Sequence, residues 1–515
     1  MLRRIVSFVN KLSNHEIDSN LIAKLSLKLA NKFKAIPIKE ENGSIVVGIS
    51  DAFNLQILDE ISLIFGKPVI PLEITEAEIL GAIKKYYGVG ADTVARMVEE
   101  NGSIFDRASG VKDIEAIDDT ALAHDASIIQ FVNQLFLEAL KERATDIHLE
   151  PYEKELKVRF RVDGVLRDVP IPNELKLFRV AIVSRIKIMA EMNIAERRMP
   201  QDGRIEIRAG GRQIDCRVST IPTLYGEGVV LRILDKANVL LGMEQLGMLP
   251  EDLKIFESII SRPHGIFLVT GPTGSGKTTT LYSALSTINS PDKKIITIEE
   301  PVEYHLNGIN QIQVNSKIDL TFALGLRHIL RHDPDIIMIG EIRDLETAEI
   351  AIRASLTGHL VFATLHTNDA AGAITRLVDM GIEPYLVASS VIGILAQRLV
   401  RVICKTCKKP YSPDEKYLSD IRFEYDKKEK LYEGAGCDEC LNTGYLGRMG
   451  IYELLVINDA LKKLIMTRVV TSDIKNKAIA FGMRTLREDG WEKVRRGFTT
   501  VDEVIKVTQE DEFAE

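Results

Sequence analysis

At 515 residues and 57.5 kDa the chain is too long for one small module, and at roughly 100 to 200 residues per domain it should hold about three or four. An apolar fraction of 45%, a charged fraction of 27% and a mean hydropathy of +0.01 describe core-forming domains and exclude bulk disorder or a membrane-embedded protein. The net charge of −8 supplies no global basic field, which sets a nucleic-acid partner at a disadvantage.

The longest stretch free of Asp, Glu, Lys and Arg, Ala354–Asn368, is too short and too polar to span a bilayer. The uncharged run behind Arg3 and Arg4 lasts only from Ile5 to Asn10, shorter than the apolar region of a signal peptide. The expectation is a cytosolic protein that reaches membranes only through partners.

Residues 1–90 mix helix-like and strand-like patterns, with Leu21, Leu25, Leu27 and Leu29 in one apolar run and Ile45, Val46, Val47 and Ile49 after Gly43. A small α/β domain is expected there. Residues 91–125 are acidic and weakly periodic and read as a linker with at most one helix. An α+β unit follows over 126–238. It opens with a helix pattern in Ile128, Phe131, Val132, Leu135, Phe136 and Ala139, then a hairpin in which Leu156, Val158, Phe160 and Val162 alternate with charged residues before Asp163-Gly164. From residue 239 the apolar runs 265–270, 295–298, 336–339 and 360–365 are each followed by a helix pattern, the arrangement of a parallel α/β sheet. Within 239–515, a lobe at 399–447 and a helical part at 448–515 are expected.

The sharpest motif is Gly271-Pro272-Thr273-Gly274-Ser275-Gly276-Lys277-Thr278, adjoined by Thr279, which fits the phosphate-binding pattern GxxxxGK[ST] in full. A strand precedes it and a helix pattern follows. Its amides would therefore sit at a helix N-terminus, where free N–H groups and the dipole favour anions. Lys277 would bridge the terminal phosphates of a nucleotide and the Thr278 hydroxyl would ligate Mg²⁺.

Hydrolysis also needs carboxylates. Glu299-Glu300-Pro301-Val302-Glu303 and Glu341 both fall at the carboxyl ends of expected parallel strands, where open α/β sheets place ligands. Gly340 stands where a magnesium-associated aspartate is usual. His366 ends another such strand and is either a γ-phosphate sensor or a hydrogen-bonded core histidine.

Cys404, Cys407, Cys437 and Cys440 form two CxxC pairs. In a reducing compartment these point to a closed Cys₄ zinc site that staples a lobe and does no chemistry. Cys216 reads as a small core residue. Arg398, Arg401, Lys405, Lys408 and Lys409 lack a set of stacking aromatics beyond Tyr411 and read as a solvated face or subunit contact before a nucleic-acid patch.

These motifs resemble the secretion ATPase superfamily, specifically the assembly ATPases of type II secretion and type IV pili. Gly271–Thr278 is similar to that family's phosphate loop, Thr297–Glu303 to its Asp box, Ile337–Asp344 to its atypical Walker B, and Gly358–Asn368 to its His box. Thr145–Pro151 and Gln201–Arg204 resemble signatures of the domain before its ATPase core. The resemblance implies a RecA-like core behind a PAS-like α+β domain. It also implies a ring-shaped homo-hexamer in which Arg204 and Arg217 reach a γ-phosphate. Glu299 is implied as the water-activating base and Glu341 as the magnesium-side carboxylate, roles the sequence alone could exchange.

Also implied are inner-membrane platform partners, a bitopic docking protein and a polytopic one, with the ATPase peripherally attached in the cytoplasm and driving pseudopilus assembly. Glu300 stands where the family usually has aspartate. No RLG-containing repeat opens the chain, so cyclic di-GMP regulation is not expected. The truncated N-terminal unit favours the type II secretion branch over pilus extension. A DNA-translocating ATPase and a nucleotide-gated scaffold without turnover are the remaining rivals, opposed by the negative charge and by the paired acidic clusters respectively.

Overall fold

The computed structural model describes residues 12, 17–22, 24–25, 27–94, 96–97, 125–209, 212–235, 241–423, 430–467 and 470–508. Two compact units divide the chain, residues 1–236 and 237–515, and each is considered by itself.

The first unit opens with a three-stranded sheet of β1 (Ala35–Glu41), β2 (Ser44–Ile49) and β3 (Val69–Glu73). Strands β1 and β2 form an antiparallel hairpin whose turn residues, Asn42 and Gly43, both have positive φ. Strand β3 returns parallel to β2, which requires a crossover, and the helix Leu55–Phe65 supplies it. Asn54 caps that helix by accepting from the Ile57 amide at 3.3 Å, and Gly66 at φ +64° ends it.

A six-stranded antiparallel sheet follows in the order β6-β5-β4-β9-β8-β7. Its strands are β4 (Ala144–Pro151), β5 (Leu156–Val162), β6 (Val165–Val169), β7 (Gln201–Ala209), β8 (Arg212–Thr223) and β9 (Gly226–Asp235). The predicted hairpin is present, with Asp163 and Gly164 both at positive φ and β5 buried at every second residue. The helix Ala126–Lys141 lays Ile128, Phe131, Val132, Leu135, Phe136 and Ala139 on the sheet.

Most of the expected linker, residues 98–124, lies outside the described residues. Its start is not linker-like: Val94 and Met97 are buried in the core of the six-stranded sheet. The apolar spacing there is too brief to register as a helix period, yet the side chains still find a face to cover.

The second unit is built on a seven-stranded sheet ordered β12-β11-β13-β14-β10-β15-β18. The strands are β10 (Gly265–Thr270), β11 (Ile295–Glu299), β12 (Asn310–Gln313), β13 (Ile336–Ile339), β14 (Leu360–Leu365), β15 (Val391–Ile403) and β18 (Tyr445–Val456). Two short strands, β16 (Lys408–Tyr411) and β17 (Leu431–Gly434), pair in a separate lobe. All sheet neighbours are parallel except β15 and β18. Strands β10 and β14 are buried along their whole length, as continuous apolar runs in a parallel sheet covered on both faces should be.

The expected helical part at 448–515 begins instead as β18, because Ile451-Tyr452-Glu453-Leu454-Leu455-Val456 ladders onto β15. The helices start at Asp459. Residues 399–403, expected in the lobe, are the end of β15. Among the described residues no helix is long and apolar enough to cross a membrane.

A buried ion pair fastens the C-terminal helices to this sheet. Lys493 and Asp489 are 1% and 0% exposed, and Lys493 Nζ donates to Asp489 Oδ2 at 2.5 Å and to Gly450 O at 2.7 Å. Asp489 Oδ2 also accepts from the Tyr452 amide at 2.8 Å. Lys493→Met would leave the carboxylate buried without its cation. It should cost about 3 to 5 kcal/mol, read as a lowered midpoint in thermal unfolding of the full chain, whereas Lys463→Met, at an exposed position, should change it by well under 1 kcal/mol.

Candidate functional site

The predicted phosphate loop joins β10 to the helix Lys277–Ile288. Gly271, Gly274 and Gly276 all have positive φ, and a Cβ at Gly271 would lie 2.5 Å from Gln397 O and 2.7 Å from Ser275 Oγ. The backbone turn is thus available only to glycine at these points. Gly276 is the residue before the helix, so the first amides of that helix face the loop without intrahelical acceptors.

Ser275 and Gly271 are buried, Pro272, Thr273 and Gly274 are exposed, and Thr278 and Thr279 are half-buried. Ser275 Oγ is buried with no hydrogen-bond partner among the described residues. Lys277 folds back into the loop, Nζ donating to Gly271 O at 2.7 Å and Pro272 O at 3.1 Å. Burial draws its ammonium down to about 8, with the charge of Glu341 opposing and that of Arg398 assisting. A desolvated cation held by carbonyl oxygens is well suited to receive a polyphosphate.

The strand tips beside the loop are fixed to it. Thr270, the last residue of β10, accepts from the Thr367 amide at 2.8 Å and donates to Thr367 O at 3.0 Å. This locks the end of β14 to the start of the loop. Glu341, after β13, has a side chain 15% exposed. Its Oε2 lies 3.1 Å from His366 Nε2, and its Oε1 is paired with Arg343. Arg343 also reaches Glu300 Oε2 at 2.9 Å, so one guanidinium joins the two acidic motifs. His366, 49% exposed in its side chain, is a strand-tip residue facing a carboxylate and not a core histidine.

Gly340 has a physical reason to lack a carboxylate. Its amide donates to Ile298 O at 2.7 Å, and a Cβ there would sit 3.2 Å from Glu299 Cα. A side chain there would press on the tip of β11, whose backbone would have to give by a few tenths of an ångström.

Glu299 faces the other way. It is 3% exposed, and its carboxylate accepts from Tyr282 OH at 2.5 Å, Thr297 Oγ1 at 2.6 Å and Gln311 Nε2 at 3.1 Å. Burial raises its pKa against the pull of those three donors. Tyr282 belongs to the helix that follows the loop and Gln311 to β12, so Glu299 ties three elements together beneath the site. Neither Tyr282 nor Gln311 was singled out from sequence: a tyrosine five residues past a lysine carries no motif. The Arg343 bridge was equally hidden, although the residue lies inside the Walker B stretch.

Arg204 and Arg217 occupy the first unit, directly opposite each other on β7 and β8. Two adjacent cations repel, and Asp215 offsets this by accepting from Arg204 Nε at 2.6 Å, with Glu206 at 3.2 Å. The Arg204 side chain remains 56% exposed. Cys216 beside them is buried as expected, and burial pushes its thiol up to about 12.

The basic residues near the lobe are largely engaged within the chain. Arg398 donates to Asn368 Oδ1 at 3.0 Å, Arg401 pairs with Glu503 at 2.6 Å, Lys408 donates to Gly497 O at 2.7 Å and Lys409 pairs with Glu433 at 3.1 Å.

The four lobe cysteines converge so that all their Sγ atoms lie within 4.8 Å of one another. Three separations are 3.8, 3.8 and 3.7 Å. A disulfide needs about 2.05 Å, whereas a tetrahedron of sulfurs about 2.3 Å from a central zinc has edges of about 3.8 Å. The donor set and its spacing fit a structural zinc ion. Cys440 Sγ accepts from the amides of Cys437 at 3.2 Å and Gly444 at 3.3 Å. Burial pushes this thiol up, but those donors outweigh it and bring it down to about 6, which favours the thiolate a metal requires.

Comparison with known proteins agrees with this geometry. Residues 121–506 match the family model described as Type II/IV secretion system protein, and residues 9–93 match the MshEN domain. The chain is 51% identical to the type II secretion system protein E of Pseudomonas aeruginosa, over 84% of this chain and 85% of that one. It is 46% identical to the type IV pilus assembly ATPase PilB of Myxococcus xanthus, over 98% and 89%. The Legionella pneumophila ATPase DotB shares the fold at a TM-score of 0.56 and 21% identity, covering 74% of this chain and 96% of that one. The second unit's parallel sheet has the RecA-like fold. The chain belongs to the type II/IV secretion system protein family.

Proposed function

We propose that this chain is the Mg-ATPase that powers type II protein secretion, coupling hydrolysis to pseudopilus assembly. The observation that carries the reading is the juxtaposition at the tips of β10, β13 and β14. Lys277 is desolvated in a glycine-built loop, and Glu341, whose charge opposes the lowering of the Lys277 pKa by burial, is backed by His366. ATP would place its terminal phosphates on Lys277 and the loop amides, with Thr278 on the magnesium. The metal supplies charge neutralisation of the phosphates when bound.

The burial of Glu299 supports assigning the chemistry to the other acid. Glu341 is the carboxylate with access to a bound phosphate and its attacking water. Glu299 is a positioning residue that holds β11 and β12 against the helix behind the loop. His366 orients Glu341. Arg204 and Arg217, adjacent and part exposed, suit a γ-phosphate presented by a neighbouring subunit, which accords with a homo-hexamer. The Cys₄ set holds a structural zinc. The assembly would lie in the cytoplasm, attached to the inner membrane by a bitopic docking protein and a polytopic platform protein, with the three-stranded N-terminal domain over residues 1–90 as the docking element.

A second reading, the ATPase of type IV pilus extension, is favoured by the 46% identity to the PilB protein over nearly the whole chain. Deletion of the gene separates the two. Loss of exported protein with pili intact supports secretion, and loss of pili with export intact supports extension.

Steady-state hydrolysis tests the site. Lys277→Ala and Glu341→Gln should each lower turnover by about 10²-fold or more, the second with nucleotide binding retained. Glu299→Gln, which keeps an acceptor for Tyr282, should lose no more than about tenfold. A loss for Glu299→Gln equal to that for Glu341→Gln would return the base role to Glu299. For the lobe, metal analysis of Cys437→Ser should show loss of about one zinc per chain and a lowered unfolding temperature; unchanged metal content would remove the site.

A further inference from the structure

Gln397 is a polar residue in the otherwise apolar run Val391-Ile392-Gly393-Ile394-Leu395-Ala396 of β15, and it is 2% exposed. Strand β15 pairs parallel to β10, with Ala396 opposite Thr270, so Gln397 emerges beside the first residue of the phosphate loop. Its backbone oxygen closes on Gly271, where a Cβ would be 2.5 Å away, and its side-chain nitrogen closes on Gly276, where a Cβ would be 2.7 Å away. Its Oε1 accepts from Thr280 Oγ1 at 2.8 Å, and Thr280 is itself fully buried in the first turn of the loop's helix. One residue therefore touches both glycine ends of the loop and the helix that continues it.

We infer that Gln397 is a positioning residue for nucleotide binding, acting through Thr280 and Gly276 to hold the phosphate loop open at the height where its amides meet a diphosphate. The inference rests on the reading of Gly271–Thr278 as a nucleotide site. A buried amide is an expensive way to fill a strand, since each of its polar atoms needs a partner. A leucine at this place would pack as well, but would leave the Thr280 hydroxyl without its acceptor and Gly276 without its polar wall. The next residue serves the other strand tip: Arg398, on the opposite face of β15, donates to Asn368 Oδ1 at 3.0 Å at the end of the His-containing segment.

The test is a double-mutant cycle on the full chain with Thr280→Val, Gln397→Leu and both together. It is read by the dissociation constant of a fluorescent ADP analogue with Mg²⁺ and by thermal unfolding. Each single change should weaken binding about tenfold. The double variant should bind no worse than the weaker single, because both remove the same link. Turnover at saturating ATP should fall less than kcat/KM. Unchanged affinity in a folded Thr280→Val protein, whatever the unfolding temperature does, overturns the inference even if Gln397→Leu fails to fold. Losses that add in the double variant overturn it as well. Absence of ADP binding by the unaltered protein would instead overturn the nucleotide reading, and this inference with it.

Discussion

A loop of backbone amides binds phosphate only if something rigid fixes both of its ends, and here that constraint is met by the centre of a sheet. Strand β10 is flanked by β14 on one side and β15 on the other, with every residue of β10 buried. Thr270 fixes the loop's entry to the tip of β14 through Thr367, and Gln397 of β15 borders Gly271 and Gly276. The three positive-φ glycines let the chain turn tightly between those walls. Placement of Lys277, Glu341 and His366 around one point follows from strand order, because residues distant in sequence share the same carboxyl edge.

Charge around the proposed nucleotide site would let Lys277 exchange its present partners for phosphate oxygens. Lys277 rests on two carbonyl oxygens, which are weak partners for a desolvated ammonium, and a polyphosphate is a stronger one. Arg343 pairs with both Glu341 and Glu300 from a side chain 60% exposed, so it can move without disturbing the core. Glu299 contrasts with both. Three donors and burial make it part of the framework, and its hydrogen bond to Tyr282 ties the Asp-box strand to the helix that begins at Lys277.

What the sequence disclosed depended on how local the controlling physics was. The phosphate loop was legible because its glycines, lysine and threonine form one short segment. The four parallel strands were legible because strands covered on both faces read as unbroken apolar runs, and the Asp163-Gly164 hairpin because its turn needs two positive φ values. The cysteine cluster was legible from spacing, since two CxxC pairs can converge on one tetrahedron. The direction in which Glu299 points was not legible, because it is decided by a tyrosine and a glutamine from two other elements. Strand β18 was missed because its register with β15 is a long-range pairing, and Val94 and Met97 because a brief apolar spacing does not reveal which core it joins. Gln397 left one visible trace, a lone amide in an apolar strand.

The central claim, that the loop holds a nucleotide's terminal phosphate beside Glu341, is tested most directly by a crystal structure of the full chain with Mg²⁺ and a non-hydrolysable ATP analogue. The account predicts that Lys277 Nζ leaves the carbonyls of Gly271 and Pro272 for the terminal phosphates while Glu341 turns toward the γ-phosphate and Glu299 keeps its contact with Tyr282. A structure in which the analogue is bound elsewhere, with Lys277 still on those carbonyls, would contradict it.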